Sequence, residues 1–180
     1  MAVTVLVMLG VVSVTPVLLL IRRLPPWVAP TIGLSCLATA WVMIGMTGKA
    51  HGFDRAATGV LAFTAAGLGG MTLAPSAYRI ARQQPDTGDQ LPVPGGPLRG
   101  GRMIGVLERV AVCGSIMAGW GPEGLVAILG VKSLARYPDL RDAKVSEQFI
   151  IGTFASVLWA VCVAAGARFH MGAVGGGKGG

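Results

Sequence analysis

Charge is scarce in this 180-residue chain: 13% of its residues are Asp, Glu, Lys or Arg, while 53% are hydrophobic and the mean hydropathy is +0.67. A soluble domain of this length carries about twice that charge, so the composition points to the bilayer as solvent. Histidine is rarer still, with two residues, and cysteine contributes three. Cys36, Cys113 and Cys162 are odd in number, far apart and each inside an apolar run. That excludes a disulfide framework and argues against a zinc site, leaving small buried hydrophobes as the expectation. The sequence also lacks H-E-x-x-H, G-x-S-x-G, Walker A and G-x-G-x-x-G motifs, the common signatures of metalloprotease, serine-hydrolase and nucleotide chemistry. His51 and Asp54 form an H-x-x-D pair in a loop, but two ligands do not make a metal site, and His170 lies toward the tail. No metal and no cofactor is expected.

What is abundant is apolar length. Uncharged or nearly uncharged runs cover residues 3–21, 29–47, 56–78, 103–120, 124–137 and 145–167. They predict an all-α, polytopic transmembrane bundle of about six helices in a single domain over residues 1–174, followed by a Gly-rich tail over 175–180. The first run has no positive segment before it; Arg22 and Arg23 follow it, which reads as a retained helix and not a signal peptide. Arg22, Arg23, Pro25, Pro26 and Trp27 mark a membrane boundary. The third run holds Gly59, Gly67, Gly69 and Gly70, small residues that let helix backbones approach closely. Residues 79–102, rich in Gln, Pro and Gly, read as a polar linker. The fourth and fifth runs form a short hairpin about residues 120–123, and 14 residues suits a re-entrant segment as well as a full crossing.

The formal charge of +7 would suggest nucleic acid in a soluble protein. Here the basic residues stand between apolar runs, where they set topology and attract anionic lipid headgroups, so no nucleic-acid partner is expected. Arg22, Arg23, Arg79, Arg82, Arg99, Arg102, Arg141 and Lys144 fall on one side, against Lys49, Arg55, Arg168 and Lys178 on the other. The positive-inside rule then places the first set in the cytoplasm and both termini outside.

Charged residues interrupt the apolar runs mainly in the C-terminal half, at Glu108 and Arg109, Lys132 and Arg136, and Glu147. Each costs about 2.5 to 3.5 kcal/mol near a helix centre, so a small bundle must pair them or give them an aqueous route. A fold-back about residues 120–123 brings Glu108 level with Ala135 and beside Arg136, with Lys132 one turn away on the same face and Ser133 next to it. A Glu108–Arg136 ion pair is expected, with Lys132 or Arg109 nearby. Two roles stay open for this cluster. It is either a packing clasp whose basic chains snorkel to the headgroups, or a basic site for an anion, a lipid phosphate or a proton.

Three blocks, G-R-M-I-G-V-L-E-R from Gly101, K-S-L-A-R-Y from Lys132 and E-Q-F-I-I-G-T-F-A-S from Glu147, resemble the signature of a family of uncharacterised bacterial multi-pass membrane proteins, a domain of unknown function. The resemblance covers the C-terminal blocks only. It implies Arg102, Glu108, Arg109, Lys132, Ser133, Arg136, Glu147, Thr153 and Ser156 as the positions of interest, in a bacterial cytoplasmic membrane. Taken together, the expectation is a non-enzymatic interaction or accessory protein. Its partners would be anionic lipid, another membrane protein or further copies of itself; a small transporter or channel component is the alternative.

Overall fold

Backbone amides inside a long apolar run have no water to bond, and a helix satisfies them within the segment. The computed structural model describes residues 2–21, 28–46, 49–82, 101–141 and 143–172, and every element among them is helical. In chain order these are α1 (Ala2–Ile21), α2 (Val28–Met46), α3 (Phe53–Thr64), α4 (Leu73–Arg82), α5 (Gly101–Ala118), α6 (Gly121–Ala135) and α7 (Ala143–His170). Between α3 and α4 the chain passes through a π-helical turn, Ala65–Gly69, and a 3₁₀ turn, Gly70–Thr72, without leaving right-handed helical dihedrals. The described chain therefore forms six helical rods, in register with the six apolar runs.

The starts of the rods move outward from those expected, while α2, α5 and α6 end one or two residues early. The third run continues to Arg82, and Gly101 and Arg102 already belong to α5. Residues 83–100 of the expected linker and the expected tail over 175–180 lie outside the described residues. The last helix extends to His170, which is not in a tail: it is 2% exposed, and its carbonyl accepts the Ala50 amide at 2.8 Å. Among the described residues two rods are long and apolar enough to cross a membrane, Phe53–Ala77 with mean hydropathy 1.4 and Val145–His170 with 2.1. The described apolar parts of α1 and α2 are Thr4–Thr15 and Pro30–Met46.

Contacts fix the relative direction of the rods. Arg168 on α7 donates to the Ile116 carbonyl on α5 at 2.5 Å, and Ala50 meets His170, so the α2–α3 turn, the α5–α6 turn and the end of α7 share one end of the bundle. The α5–α6 turn is tight: Gly119 and Gly121 take positive φ (86° and 45°), which glycine adopts without a Cβ clash. Pro122 then starts α6, where a missing amide hydrogen costs nothing.

The core runs through Val5, Leu9 and Val12 of α1, Leu37 and Ile44 of α2, Ala62, Ala65 and Ala66, Val112 and Cys113 of α5, and Trp159, Ala160, Val163 and Ala164 of α7. Outward faces are also apolar, with Leu34, Val42, Val60, Leu107, Val131, Leu134, Phe154 and Leu158 exposed. Cys113 is buried and Cys36 half-buried, but Cys162 is exposed, since it lies on the outward face of α7.

Candidate functional site

The π turn is where the backbone of the third rod opens. In a π turn the hydrogen bond spans one residue more than in an α-helix, which widens the turn and leaves carbonyls under-satisfied. Three of them are taken up by side chains from other rods. Trp159 Nε1 donates to Ala65 O at 3.0 Å. Arg109 Nε donates to Ala66 O and Gly67 O at 3.1 and 3.0 Å, and its Nη2 donates to Gly67 O at 2.7 Å. Arg109 Nη1 donates to Ser156 Oγ on α7 at 3.2 Å.

Glycine makes room for this arrangement. A Cβ at Gly70 would lie 2.6 Å from Arg109 Cδ and 2.8 Å from Trp159 Cδ1, and one at Gly69 would lie 2.6 Å from Trp159 Cζ2 and 2.8 Å from Val12 Cγ1. Gly67 is packed almost as closely, with Val110 Cγ2 at 3.1 Å. Gly59, from the same small-residue run, faces open space.

Arg109 is only 4% exposed, so it does not snorkel toward a headgroup layer. Its charge is held by backbone and hydroxyl oxygens. Such charge-assisted bonds are stronger than neutral ones and offset the desolvation of a guanidinium that forms no salt bridge among the described residues.

Glu108, one residue earlier, points about 100° around α5 toward α6. Its side chain is 6% exposed, and Oε2 accepts from Lys132 Nζ at 2.5 Å. The Lys132 side chain is 22% exposed, and its ammonium lies 5.3 Å from the ring centroid of Phe149 on α7. Oε1 of Glu108 is buried without a hydrogen-bond donor.

The ion pair differs from the one expected, which was Glu108 with Arg136. The turn is the physical reason. α5 ends at Ala118 and α6 begins at Gly121, so the hairpin reverses earlier than residues 120–123 would have it. The residue level with Glu108 shifts from Ala135 to the neighbourhood of Lys132. Arg136 is the C-cap of α6, half-buried, with φ −101° and ψ 2° outside the helix.

The other expected positions divide. Ser156 is buried on Arg109, and Thr153 is half-buried one turn earlier on α7. Ser133 and Glu147 are exposed and do not join the buried set. Arg102 is the second residue of α5; its side chain lies outside the described residues. Gly152 faces Ala74 of α4, whose Cβ would lie 3.9 Å from a methyl added at Gly152. Trp159 was not singled out from sequence, although its position gave a signal. A tryptophan in the middle of an apolar run, away from the interfaces that favour it, needs an internal acceptor for its N–H.

His51 is exposed at the opposite end, and Asp54 donates its amide to the His51 carbonyl at 3.2 Å. Among the described residues no group of three or more His, Cys, Asp or Glu stands close enough to hold a metal ion. No family model matches the chain, and no curated protein or solved structure is significantly similar to it.

Proposed function

We propose that the chain is a polytopic protein of a bacterial cytoplasmic membrane, without enzymatic activity of its own, that acts as an interaction or accessory subunit. The carrying observation is the division of its polar groups. Arg109, Glu108 and Ser156 are turned inward onto other rods, while the outward faces present Leu, Val, Phe and Ile. Only about a third of the apolar window of α7 is buried within the chain, at 33%, so most of that surface needs an apolar medium.

In this reading both termini lie outside. The end carrying Arg136 and Arg141 is cytoplasmic, where it meets anionic lipid headgroups and a membrane partner, either another protein or a second copy. The three sequence blocks fall on α5, on the end of α6 and on the first half of α7, which meet at Glu108, Lys132 and Phe149. That convergence supports the resemblance to uncharacterised bacterial multi-pass membrane proteins as one structural unit.

Extraction in a mild detergent followed by mass spectrometry of what co-purifies is the test. A fixed stoichiometric partner, or a defined oligomer, is expected. A lone monomer that carries ions across reconstituted vesicles would overturn the accessory role. It would favour the second reading, a small transporter or channel component built on Glu108, Lys132 and Arg136. The undonated Oε1 of Glu108 is the observation that favours that alternative.

A further inference from the structure

Glu108 and Lys132 are unequal partners. The Glu108 side chain is enclosed, whereas the longer, flexible Lys132 side chain is partly exposed. Lys132 stands in the last turn of α6, where the chain leaves the helix. It can withdraw to water by rotating about its own side-chain bonds. Glu108, about two turns inside α5 and paired across to α6, has no such route.

The carboxylate is also half used. Oε2 accepts from Lys132, and Oε1 has no donor. Arg109 does not supply one: its guanidinium bonds run to Ala66, Gly67 and Ser156. From α7 the uncharged ring of Phe149 lies against Lys132, its centroid 5.3 Å from Nζ. Arg136 stands one turn beyond Lys132 on α6, and Glu147 on α7 is exposed.

We propose that Glu108 is a proton-binding site at which a proton exchanges with the Lys132 ammonium. The proton bonds to a carboxylate oxygen and gives a neutral carboxylic acid. Lys132 leaves as an intact ammonium and is hydrated at the nearby end of the bundle. With Lys132 in place the buried set is two cations and one anion. After the exchange it is Arg109 with a neutral acid, so the enclosed charge is one positive in both states. The swap therefore avoids the charge change that makes ionisation inside a bundle costly. A metal cation does not fit: hard cations take about six to eight oxygen ligands, and among the described residues no group of three or more His, Cys, Asp or Glu stands together to supply them. Withdrawal of Lys132 also removes the ion pair between α5 and α6, so proton binding loosens the hairpin.

This inference rests on the membrane-embedded reading, and the two can fail separately. The full chain is placed in lipid nanodiscs with its glutamates labelled with ¹³C at the side-chain carboxyl, and infrared difference spectra are recorded on acidification. A chain that stays dispersed without lipid or detergent would overturn the membrane reading. In nanodiscs, a carboxylic-acid C=O band that moves with the isotope is expected, and it should vanish in Glu108→Gln. In Lys132→Gln, which removes the competing ammonium, the band should appear at less acidic pH. Glu108→Gln mimics the protonated state, so Lys132 in that variant should react several-fold faster with an amine reagent at fixed pH. The native protein and Lys132→Gln keep the test open if Glu108→Gln does not fold. No isotope-shifted band, a band that persists in Glu108→Gln, a band unmoved in Lys132→Gln, or unchanged Lys132 reactivity would each overturn the proposal.

Discussion

Arg109 on α5 donates to the carbonyl of Gly67 through both Nε and Nη2, at 3.0 and 2.7 Å, and so fastens α5 to the single π turn of the third rod. A fork of two parallel N–H groups is a property of guanidinium that an ammonium lacks. Arg109→Lys keeps the buried charge and loses most of its partners, whereas Arg109→Met removes the charge and leaves the carbonyls unsatisfied. An undonated buried acceptor costs about 1 to 3 kcal/mol. Arg109→Lys should be destabilised at least as much as Arg109→Met in thermal unfolding in detergent. A lysine variant as stable as the native chain would show that charge alone holds the turn.

The glycines of the same rod make a graded series. Gly70→Ala drives a methyl into Arg109 Cδ and Trp159 Cδ1, and Gly69→Ala drives one into Trp159 and Val12. Overpacking of this kind costs about 1 to 3 kcal/mol. Gly59→Ala meets open space inside a regular helix, where alanine is favoured over glycine by about 0.5 to 1 kcal/mol. The expected order of stability is Gly59→Ala, then Gly152→Ala with its ordinary 3.9 Å contact, then Gly69→Ala and Gly70→Ala. Differential scanning in one detergent reads that order directly, and equal melting of Gly59→Ala and Gly70→Ala would contradict it.

These residues also mark where the sequence was readable. Interruptions of the apolar runs by Arg, Lys, Pro and Gly located all six rods to within a few residues, because each interruption removes either the lipid-compatible surface or the helical dihedrals. The small-residue run predicted close approach, which Gly67, Gly69 and Gly70 make. A π turn has no comparable signature, since the same glycines serve an unbroken helix equally well. The direction of Arg109 was equally hidden: a long basic side chain can reach headgroups or turn inward, and only the opened carbonyls opposite decide. Lys132 and Arg136 lie on one helix face, so a small shift in the turn was enough to exchange them as the partner of Glu108.

Topology gives a prediction that does not depend on the buried set. In the proposed orientation, which rests on the basic asymmetry of the loops, residues 83–100 would be cytoplasmic, while Phe53, 83% exposed, lies at the bundle end shared with Ala50 and His170. On a background with Cys36, Cys113 and Cys162 replaced, a cysteine at Phe53 should react with an impermeant thiol reagent in intact cells. One at Asp86 should react only after the membrane is opened. The reverse pattern would invert the bundle and put the Arg136 end outside.

The ion pair itself is best tested against its neighbour. Glu108 and Lys132 are joined at 2.5 Å, with the glutamate side chain enclosed and the lysine side chain partly exposed. Removing the lysine leaves a buried carboxylate with no donor on either oxygen; removing the glutamate releases a lysine that can still hydrate. Lys132→Gln should therefore cost more than Glu108→Gln, even though both break the same contact. Loss of one partner of a buried pair can reach about 3 to 5 kcal/mol, and the exposure of Lys132 brings the expected coupling down to about 1 to 3 kcal/mol. The double variant Glu108→Gln, Lys132→Gln should recover most of the loss. A parallel cycle of Glu108→Gln with Arg136→Gln should give a smaller coupling, because Arg136 sits beyond the end of α6. Thermal stability of the single and double variants in one detergent yields both couplings. If the Arg136 cycle gave the larger one, the pairing of Glu108 with Lys132 would be wrong, and the hairpin would have to turn later than Gly119.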